Sequence, residues 1–467
     1  MIAYLATHGF AARMILQTGL VHQLRNRGHR VAIITPDATD ANLMESCREA
    51  GIELIEIIPQ LSFLEKQLLQ FRRYLLEDIE ANPALLEKHR MRANDPARKG
   101  WRRLQTRLGW WTYRLTQAVP LLRKVYRWLE PQLLYSRKLE ERLAGLAPSY
   151  LVATYPVFPP EYQLLAAAGK LGVPTAMHLL SWDNISSKGA FPALADEYIV
   201  WGDEMADELK TYYQIAPAQI HRCGVPHFDL HIKSREAKSA TYLEEIGLDP
   251  DRPYLFVAMS APHFCPREID IVEWLAAKIA EDIFGQDLQL VVRPHPQNMT
   301  GYMADTSWVD RLAILAKQDR VGVQYPALVQ GSRLPWSMRE ADMDAFSRVL
   351  AGSTAVLNSG STVSIDALMC GRPVILTSFD AEEERPYWFS ARRLLDFTHL
   401  RRFVARGGVT VTRSFADLTI AIQTYQDEPD HLRDAREDTL RHYCYRADGR
   451  ATERVVDTLD RLVTRSP

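Results

Sequence analysis

Short apolar runs bounded by glycine, proline and polar residues recur along the whole chain, and they alternate with longer stretches of helical period. "IAYLAT" predicts a buried strand, "AARMILQTGLVHQLRNRG" one amphipathic helix closed by Gly28, and "HRVAIITP" the next strand. "GIELIEI" gives a third strand, and "SYLVATYP", "VPTAMHLL", "DEYIVWG" and "IHRCGVP" resume the pattern with helical connections such as "PEYQLLAAAGKLG". The second half starts afresh with "PYLFVAMSA", the helix "REIDIVEWLAAKIAEDIFG" and "LQLVVRPHP", then continues through "VGVQYP", "AFSRVLAGS", "TAVLNSG" and "PVILTS". Strands alternating with helices of this length predict an α/β fold with two parallel, doubly wound, Rossmann-like sheets.

The expected organisation is a first domain over residues 1–235, a second over 236–415, and helices over 416–467 that cross back to the first. Two such domains face a cleft beyond the carboxyl ends of their strands, where open parallel sheets bind ligands. The length of 467 residues exceeds what one ordinary core fills and agrees with two.

Residues 61–147 interrupt the first domain with a helical insertion. Between 98 and 127 there are nine Lys or Arg and no Asp or Glu, interleaved with Trp101, Trp110, Trp111, Tyr113 and Tyr126 and followed by Trp128. Cations beside indoles suit an anionic membrane surface, because rings settle at the headgroup level while the charges meet phosphates. Arg102, Arg103, Arg107, Trp110 and Trp111 are the candidate residues of that surface, and a solvated insertion packed on its own domain is the alternative.

Composition narrows the rest. Hydrophobic residues at 47% and charged residues at 24% are ordinary globular values, and a net charge of -2 carries no nucleic-acid signature. Five scattered cysteines form no CxxC pair, so neither a zinc site nor a disulfide framework is indicated, and a reduced, cytoplasmic protein is expected. No signal peptide or spanning segment is evident, so membrane contact would be peripheral, at the inner face of the plasma membrane.

Candidate chemistry gathers in the second half. In "NSGSTVSIDALMCGRPVIL" a buried strand meets Ser359, Gly360, Ser361 and Thr362 and then a helix, as a backbone does when it approaches an anion at a helix N-terminus. The alternative is that Ser361 or Thr362 is only an N-cap. In "LQLVVRPHPQN" a strand ends in Arg293 and His295, which places a guanidinium and an imidazole at the same sheet edge, where an arginine can pair with a diphosphate. The elbow follows about 65 residues later, and the two loops would bracket one phosphate.

"YLATHGF…GHRVAIITP", "RPHP" after a strand, "NSGSTVSIDALMCGRPVI" and "YRADGRATERVVDTLDRL" together resemble a GT-B glycosyltransferase over both α/β domains, the insertion excepted. The His-Pro and Ser-Thr pairs are similar to those of bacterial transferases with cytidine-linked donors, among them sialyl- and Kdo-transferases and the polyol-phosphate transferases of teichoic acid synthesis. "SWDNISSKG" and "GVPHFD" resemble surface-polysaccharide proteins of the same group. The resemblance implies that His295, Ser361 and Thr362 hold the donor phosphate, that Ser359 and Gly360 shape the loop, and that Asp366 meets the donor ribose. Asp366 as a helix-dipole partner is the other reading.

An inverting transferase also needs a base. Asp183, with Asn184 and Lys188 to orient sugar or phosphate, and His8, after the first strand, are the two candidates. Asp342 and Asp344 in "READMDAF" have a metal-binding spacing but fall in a helix, so no metal and no cofactor is expected. "QYPALVQGSRLPWSMREAD" is expected to hold the nucleobase loop. The leading reading is a glycosyltransferase with a nucleotide-sugar donor and a lipid-linked or glycan acceptor in cell-surface glycan synthesis. A CDP-polyol phosphotransferase, a nucleotide-sugar 2-epimerase and a non-catalytic nucleotide-sugar-binding protein are its alternatives.

Overall fold

The computed structural model describes residues 1–58, 61–237, 239–285, 287–299 and 305–465. The chain forms two compact units, each built on one parallel sheet. The N-terminal unit comprises 1–227, 329–337 and 450–467, and the second comprises 228–328 and 338–449. The chain therefore changes unit at 227/228 rather than at 235/236. Of the expected C-terminal return, only 450–467 belongs to the N-terminal unit, while the helices Phe415–Asp427 and Arg433–Cys444 stay with the second.

The N-terminal sheet has β1 (Ile2–Leu5), β2 (Val31–Thr35), β3 (Glu53–Glu56), β4 (Tyr150–Ala153), β5 (Thr175–His178), β6 (Glu197–Val200) and β7 (Ile220–Arg222) in the order β3-β2-β1-β4-β5-β6-β7. The second sheet has β8 (Tyr254–Ala258), β9 (Gln289–Arg293), β10 (Val321–Val323), β11 (Ala355–Asn358), β12 (Val374–Thr377) and β13 (Thr410–Thr412) in the order β10-β9-β8-β11-β12-β13. β1, β4, β8 and β11 are buried along their whole length, which is why they read as apolar runs without alternation. In each sheet the strand order reverses once, between β1 and β4 and between β8 and β11, and such switch points are where ligands enter this architecture.

Two local expectations change. The first long helix is two, Gly9–Ile15 and Leu20–Asn26, because Gly19 sits at φ +73° and Thr18 Oγ1 turns back to donate to the Met14 carbonyl at 2.8 Å. Residues 329–337, inside the expected nucleobase segment, belong to the N-terminal unit. Leu334 joins the apolar cluster of β1 and β2, and Arg333 N–H donates to Asp37 at 2.7 Å. Gly9 allows this approach, since a Cβ there would lie 2.2 Å from the Trp336 carbonyl oxygen.

The insertion between β3 and β4 is five helices: Phe63–Leu76, Pro83–Asn94, Gly100–Ala118, Pro120–Leu133 and Arg137–Leu146. The first begins with a reciprocal cap in which Ser62 Oγ accepts from Glu65 N–H and Glu65 Oε2 accepts from Ser62 N–H. The insertion has its own small core of Tyr74, Ile79, Leu85 and Tyr113. A Cβ on Gly109 would meet the Tyr74 ring at 2.5 Å, so the glycine sets how closely the first and third helices pack. Trp110 lies against that core, stacked on His89 at 4.4 Å, and so does not serve the outer surface as expected. Trp101 and Trp111 are 63% and 73% exposed, and Arg102, Arg103 and Arg107 are exposed beside them.

Candidate functional site

At the end of β11 the elbow is organised by Asn358. Its Oδ1 accepts from the N–H groups of Gly360 and Ser361, each at 2.9 Å, and from Ser364 Oγ at 3.1 Å. Thr362 holds the N-cap position of the helix Val363–Met369 but makes no side-chain cap bond, and Ser361 Oγ is buried without a hydrogen-bond partner. Gly360 holds φ +97°, a conformation open to glycine, and leaves Leu400 space that a Cβ would occupy at 3.0 Å. The elbow is thus pre-shaped, and it leaves two buried polar atoms unsatisfied, Ser361 Oγ and Asn358 Nδ2.

Ser359 corrects the expectation of a donor contact. It is buried and donates to Glu268 Oε1 at 2.7 Å, with Thr377 Oγ1 at 2.9 Å on its other side. Glu268, at the start of the helix Glu268–Ala280, also accepts from Ser260 N–H just beyond β8. One carboxyl group therefore joins the two loops at the switch point. Asn298 adds the third, donating from Nδ2 to the Ser260 carbonyl at 2.9 Å while its backbone N–H meets the His295 carbonyl at 2.8 Å.

Burial pushes the Glu268 pKa up to about 7, against the hydrogen bonds from Ser359 and Ser260 that favour the ion. Between the ordinary 4.5 and 7 the folded state then holds more protons than the unfolded one, so this group's contribution to stability declines as pH rises through that window. Glu268→Gln removes the decline. Denaturant titrations from pH 4.5 to 7.5 should show the variant gaining on wild type by up to about 3 kcal/mol, whereas a pH-independent difference would mean that Glu268 is ionised throughout.

Two other donor residues also face elsewhere. Arg293 Nη2 donates to both carboxylate oxygens of Asp342, at 2.9 and 2.7 Å, Nη1 donates to Gln324 at 3.0 Å, and the side chain is 10% exposed, so its guanidinium ties down the segment after β10 instead of waiting for a diphosphate. Asp342 lies in the helix Glu340–Gly352, as expected. Asp366 accepts from His231 Nε2 at 2.8 Å, and His231 Nδ1 meets Ser347 Oγ at 2.8 Å, so the carboxylate is committed to the interior and not to a ribose. His295 remains at the β9 exit, its pKa lowered to about 4 by burial, and is a neutral imidazole near pH 7.

In the N-terminal unit the loop after β5 gathers Asp183, Asn184 and Lys188. Lys188 Nζ lies 2.8 Å from Asp183 Oδ2, Ser187 Oγ donates to the same oxygen at 3.0 Å, and Asn184 Nδ2 reaches Oδ1 at 3.4 Å. The insertion holds this loop: Asn82 Nδ2 and Lys88 Nζ donate to the Ser186 and Ser187 carbonyls at 3.0 and 2.5 Å, and Glu77 accepts from Ala190 N–H. Lys88 was not evident in the sequence, because its partners are about 100 residues away. Burial, with the charge of Lys188 adding to it, lowers its pKa to about 7.

His8 caps the helix Gly9–Ile15, its Nδ1 accepting from Phe10 N–H at 3.1 Å. Burial, and then Lys188, lowers its pKa to about 4. A neutral imidazole that accepts through Nδ1 carries its proton on Nε2, so His8 offers a donor and not the base it was expected to supply. Trp336 packs edge-on against it at 4.8 Å and holds φ +55°, a strained conformation for a bulky residue. Across this switch point Glu161 repeats the device of Glu268, accepting from Tyr155 N–H at 2.7 Å and from Thr7.

A family model described as CDP-glycerol:poly(glycerophosphate) glycerophosphotransferase matches residues 192–460, more than half of the chain. The chain belongs to that family. The matched region of this glycerophosphotransferase-family protein contains His295, Ser361 and Thr362, and excludes the insertion, His8 and Asp183. No curated protein matches the chain. Among solved structures it is similar to S. aureus MnaA in complex with UDP (TM-score 0.56, 12% identity, covering 100% of this chain and 98% of that one). It is also similar to UDP-GlcNAc 2-epimerase from Neisseria meningitidis bound to UDP-GlcNAc (0.54, 11%, 98% and 99%) and to a glycosyltransferase from Rickettsia africae (0.53, 9%, 100% and 99%). At such identities the likeness is one of fold, and it is the two-sheet GT-B architecture. With the family, it makes the chain a transferase of the cell-surface polysaccharide and teichoic type.

Proposed function

We propose that the protein transfers a glycosyl unit from a nucleotide-activated donor to a hydroxyl of a lipid-linked or polysaccharide acceptor, without a metal or a cofactor. The observation that carries the reading is the second sheet's switch point, where the β9 and β11 exits flank β8 at about 10 Å, two strand spacings. His295 at one exit and Ser361 and Thr362 at the other bracket a phosphate there, and their donors steady the leaving group. Asp183, held by Lys188 and Ser187, takes the acceptor proton as the hydroxyl oxygen bonds to the anomeric carbon and the carbon–phosphate oxygen bond breaks.

The family match favours a second reading, transfer of polyol phosphate from a CDP-polyol, in which the same oxygen attacks phosphorus and CMP leaves. Incubation with CDP-glycerol and with nucleotide sugars, each labelled at the phosphate nearest the transferred group, separates the two. Label in the polymer supports phosphoryl transfer, and labelled nucleotide with unlabelled polymer supports glycosyl transfer. Absence of acceptor-dependent nucleotide release from every donor overturns both. His295→Ala, or Ser361→Ala with Thr362→Ala, should weaken nucleotide binding by about 1–3 kcal/mol in calorimetric titration, the loss expected for hydrogen bonds to a charged group. Unchanged affinity in both variants would remove the phosphate from this edge.

The exposed side of the insertion supports a peripheral place at the cytoplasmic face of a membrane. No described helix is long and apolar enough to cross one. The third insertion helix exposes Trp101, Leu104, Leu108, Trp111 and Leu115, which share one face at helical spacing, with Arg102, Arg103 and Arg107 alongside.

A further inference from the structure

The second unit has a cavity of about 710 Å³ at the other edge of its sheet from the Ser361 elbow. Thr354 and Pro373, which immediately precede β11 and β12, are in its wall, whereas the elbow follows β11, so about 13 Å of strand separates the two. Six arginines line it, at 235, 372, 433, 436, 441 and 446, against three carboxylates. Two of those carboxylates, Asp430 and Glu437, already pair with Arg433 at 3.1 and 3.6 Å.

Arg436 is 7% exposed, and its Nε and Nη1 are buried without a hydrogen-bond partner, while Nη2 donates to the Pro429 carbonyl at 3.0 Å. Arg372 Nε is likewise buried and unpartnered. Burial, with repulsion from Arg433 and Arg372 added, holds Arg436 below the ordinary guanidinium range. Unsatisfied buried donors and crowded like charges both oppose folding, so their joint presence in one cavity wall calls for an offsetting anion. The wall also carries a strained turn. Tyr445 has φ +62° and ψ -69°, and Arg446 N–H donates to the Cys444 carbonyl at 2.7 Å, a γ-turn of the rare positive-φ kind. Such strain persists where the surroundings fix a side chain for use.

We propose that this cavity is a second anion site, which binds a ligand with two or more phosphate groups through the guanidinium groups of Arg372, Arg436, Arg441 and Arg446. The cavity is large enough for several phosphates, and the fork of each arginine matches a phosphate edge. Two sources share this chemistry, a phosphodiester chain and a free diphosphate or nucleotide. The cavity is distinct from the site of the proposed reaction, since Thr354 and Pro373 in its wall precede β11 and β12 whereas the elbow follows β11.

The test is calorimetric titration with inorganic pyrophosphate and with a short glycerol-phosphodiester oligomer, in a Ser361→Ala, Thr362→Ala background that disables the donor loop. Binding of at least one ligand is expected, weakening as salt rises. Tighter binding of the oligomer identifies a polymer-holding site, and tighter binding of pyrophosphate identifies a nucleotide or diphosphate site. Arg441 and Arg446 are exposed, so R441E/R446E leaves the core untouched and should lower affinity at least about tenfold by reversing two charges. R372Q/R436Q should abolish binding. Should the buried pair prove necessary for folding, the exposed pair decides alone. No binding of either ligand in the parent, or unchanged affinity in R441E/R446E, overturns the site.

Discussion

Asp183→Asn should reduce turnover at least about a hundredfold while leaving donor affinity unchanged. The lower limit is the small end of what a positioned general base contributes. The substitution preserves shape, but its amide keeps only one of the two acceptor oxygens that Ser187 and Asn184 use, and it removes the charge that Lys188 faces at 2.8 Å and the ability to take a proton. Donor affinity should hold because the proposed phosphate contacts lie on the second sheet. Steady-state rates with acceptor, set beside calorimetric binding of the free nucleotide, read the two effects separately. His8→Ala should cost less than about tenfold, since its Nδ1 is occupied by Phe10 N–H. If the large loss follows His8 instead, the imidazole is the base and its proton sits on the other nitrogen.

Arg102, Arg103 and Arg107 changed together to Glu should abolish association with anionic vesicles. Each cation near such a surface contributes about 1 kcal/mol, so three reversals remove about 3 and add a comparable repulsion. The wild-type protein should sediment with vesicles rich in anionic lipid at low salt and release as screening shortens the reach of its charges. Trp111, rather than Trp110, should carry the apolar share, because Trp110 is stacked on His89 inside the insertion. Nucleotide binding should be intact in the variant. A wild-type protein that ignores anionic vesicles at low salt removes the membrane reading and leaves the exposed indoles to another partner.

The strands were legible because a strand covered on both faces is a short apolar run with polar ends, as β1, β2, β4 and β5 are, whereas the edge strands β3 and β7 are only partly buried. β13 was missed: "TVT" is three residues long and only partly buried. His295, Ser361 and Thr362 lie at strand exits, which a sequence displays directly. What those exits bond to is not displayed. Arg293 reads as a free cation until Asp342, 49 residues on, is seen to hold it, and Ser359 reads as a ligand contact until Glu268 is placed 91 residues earlier. Glu268 and Glu161 resemble ordinary first-turn acids in sequence, and only burial against a second loop makes them clamps. Asn358 had a local signal, since an Asn at a strand end can accept from the next backbone N–H groups.

The composition of the N-terminal unit has a consequence for how the protein is made. Its apolar cluster contains Leu334 and, from the last helix, Val455, Val456, Leu459 and Leu462, packed with residues of β1 and β2. A ribosome adding about 5–20 residues each second needs some tens of seconds to go from the end of the seventh strand to that helix. Throughout that interval the earliest-made sheet waits with part of its apolar surface uncovered, and at residue 449, before the last helix is made, the second unit has every segment of its own. The order of completion therefore reverses the order of synthesis. A nascent chain halted before residue 450 would present a finished second unit beside an unfinished first one, which is the state in which chaperones would engage it.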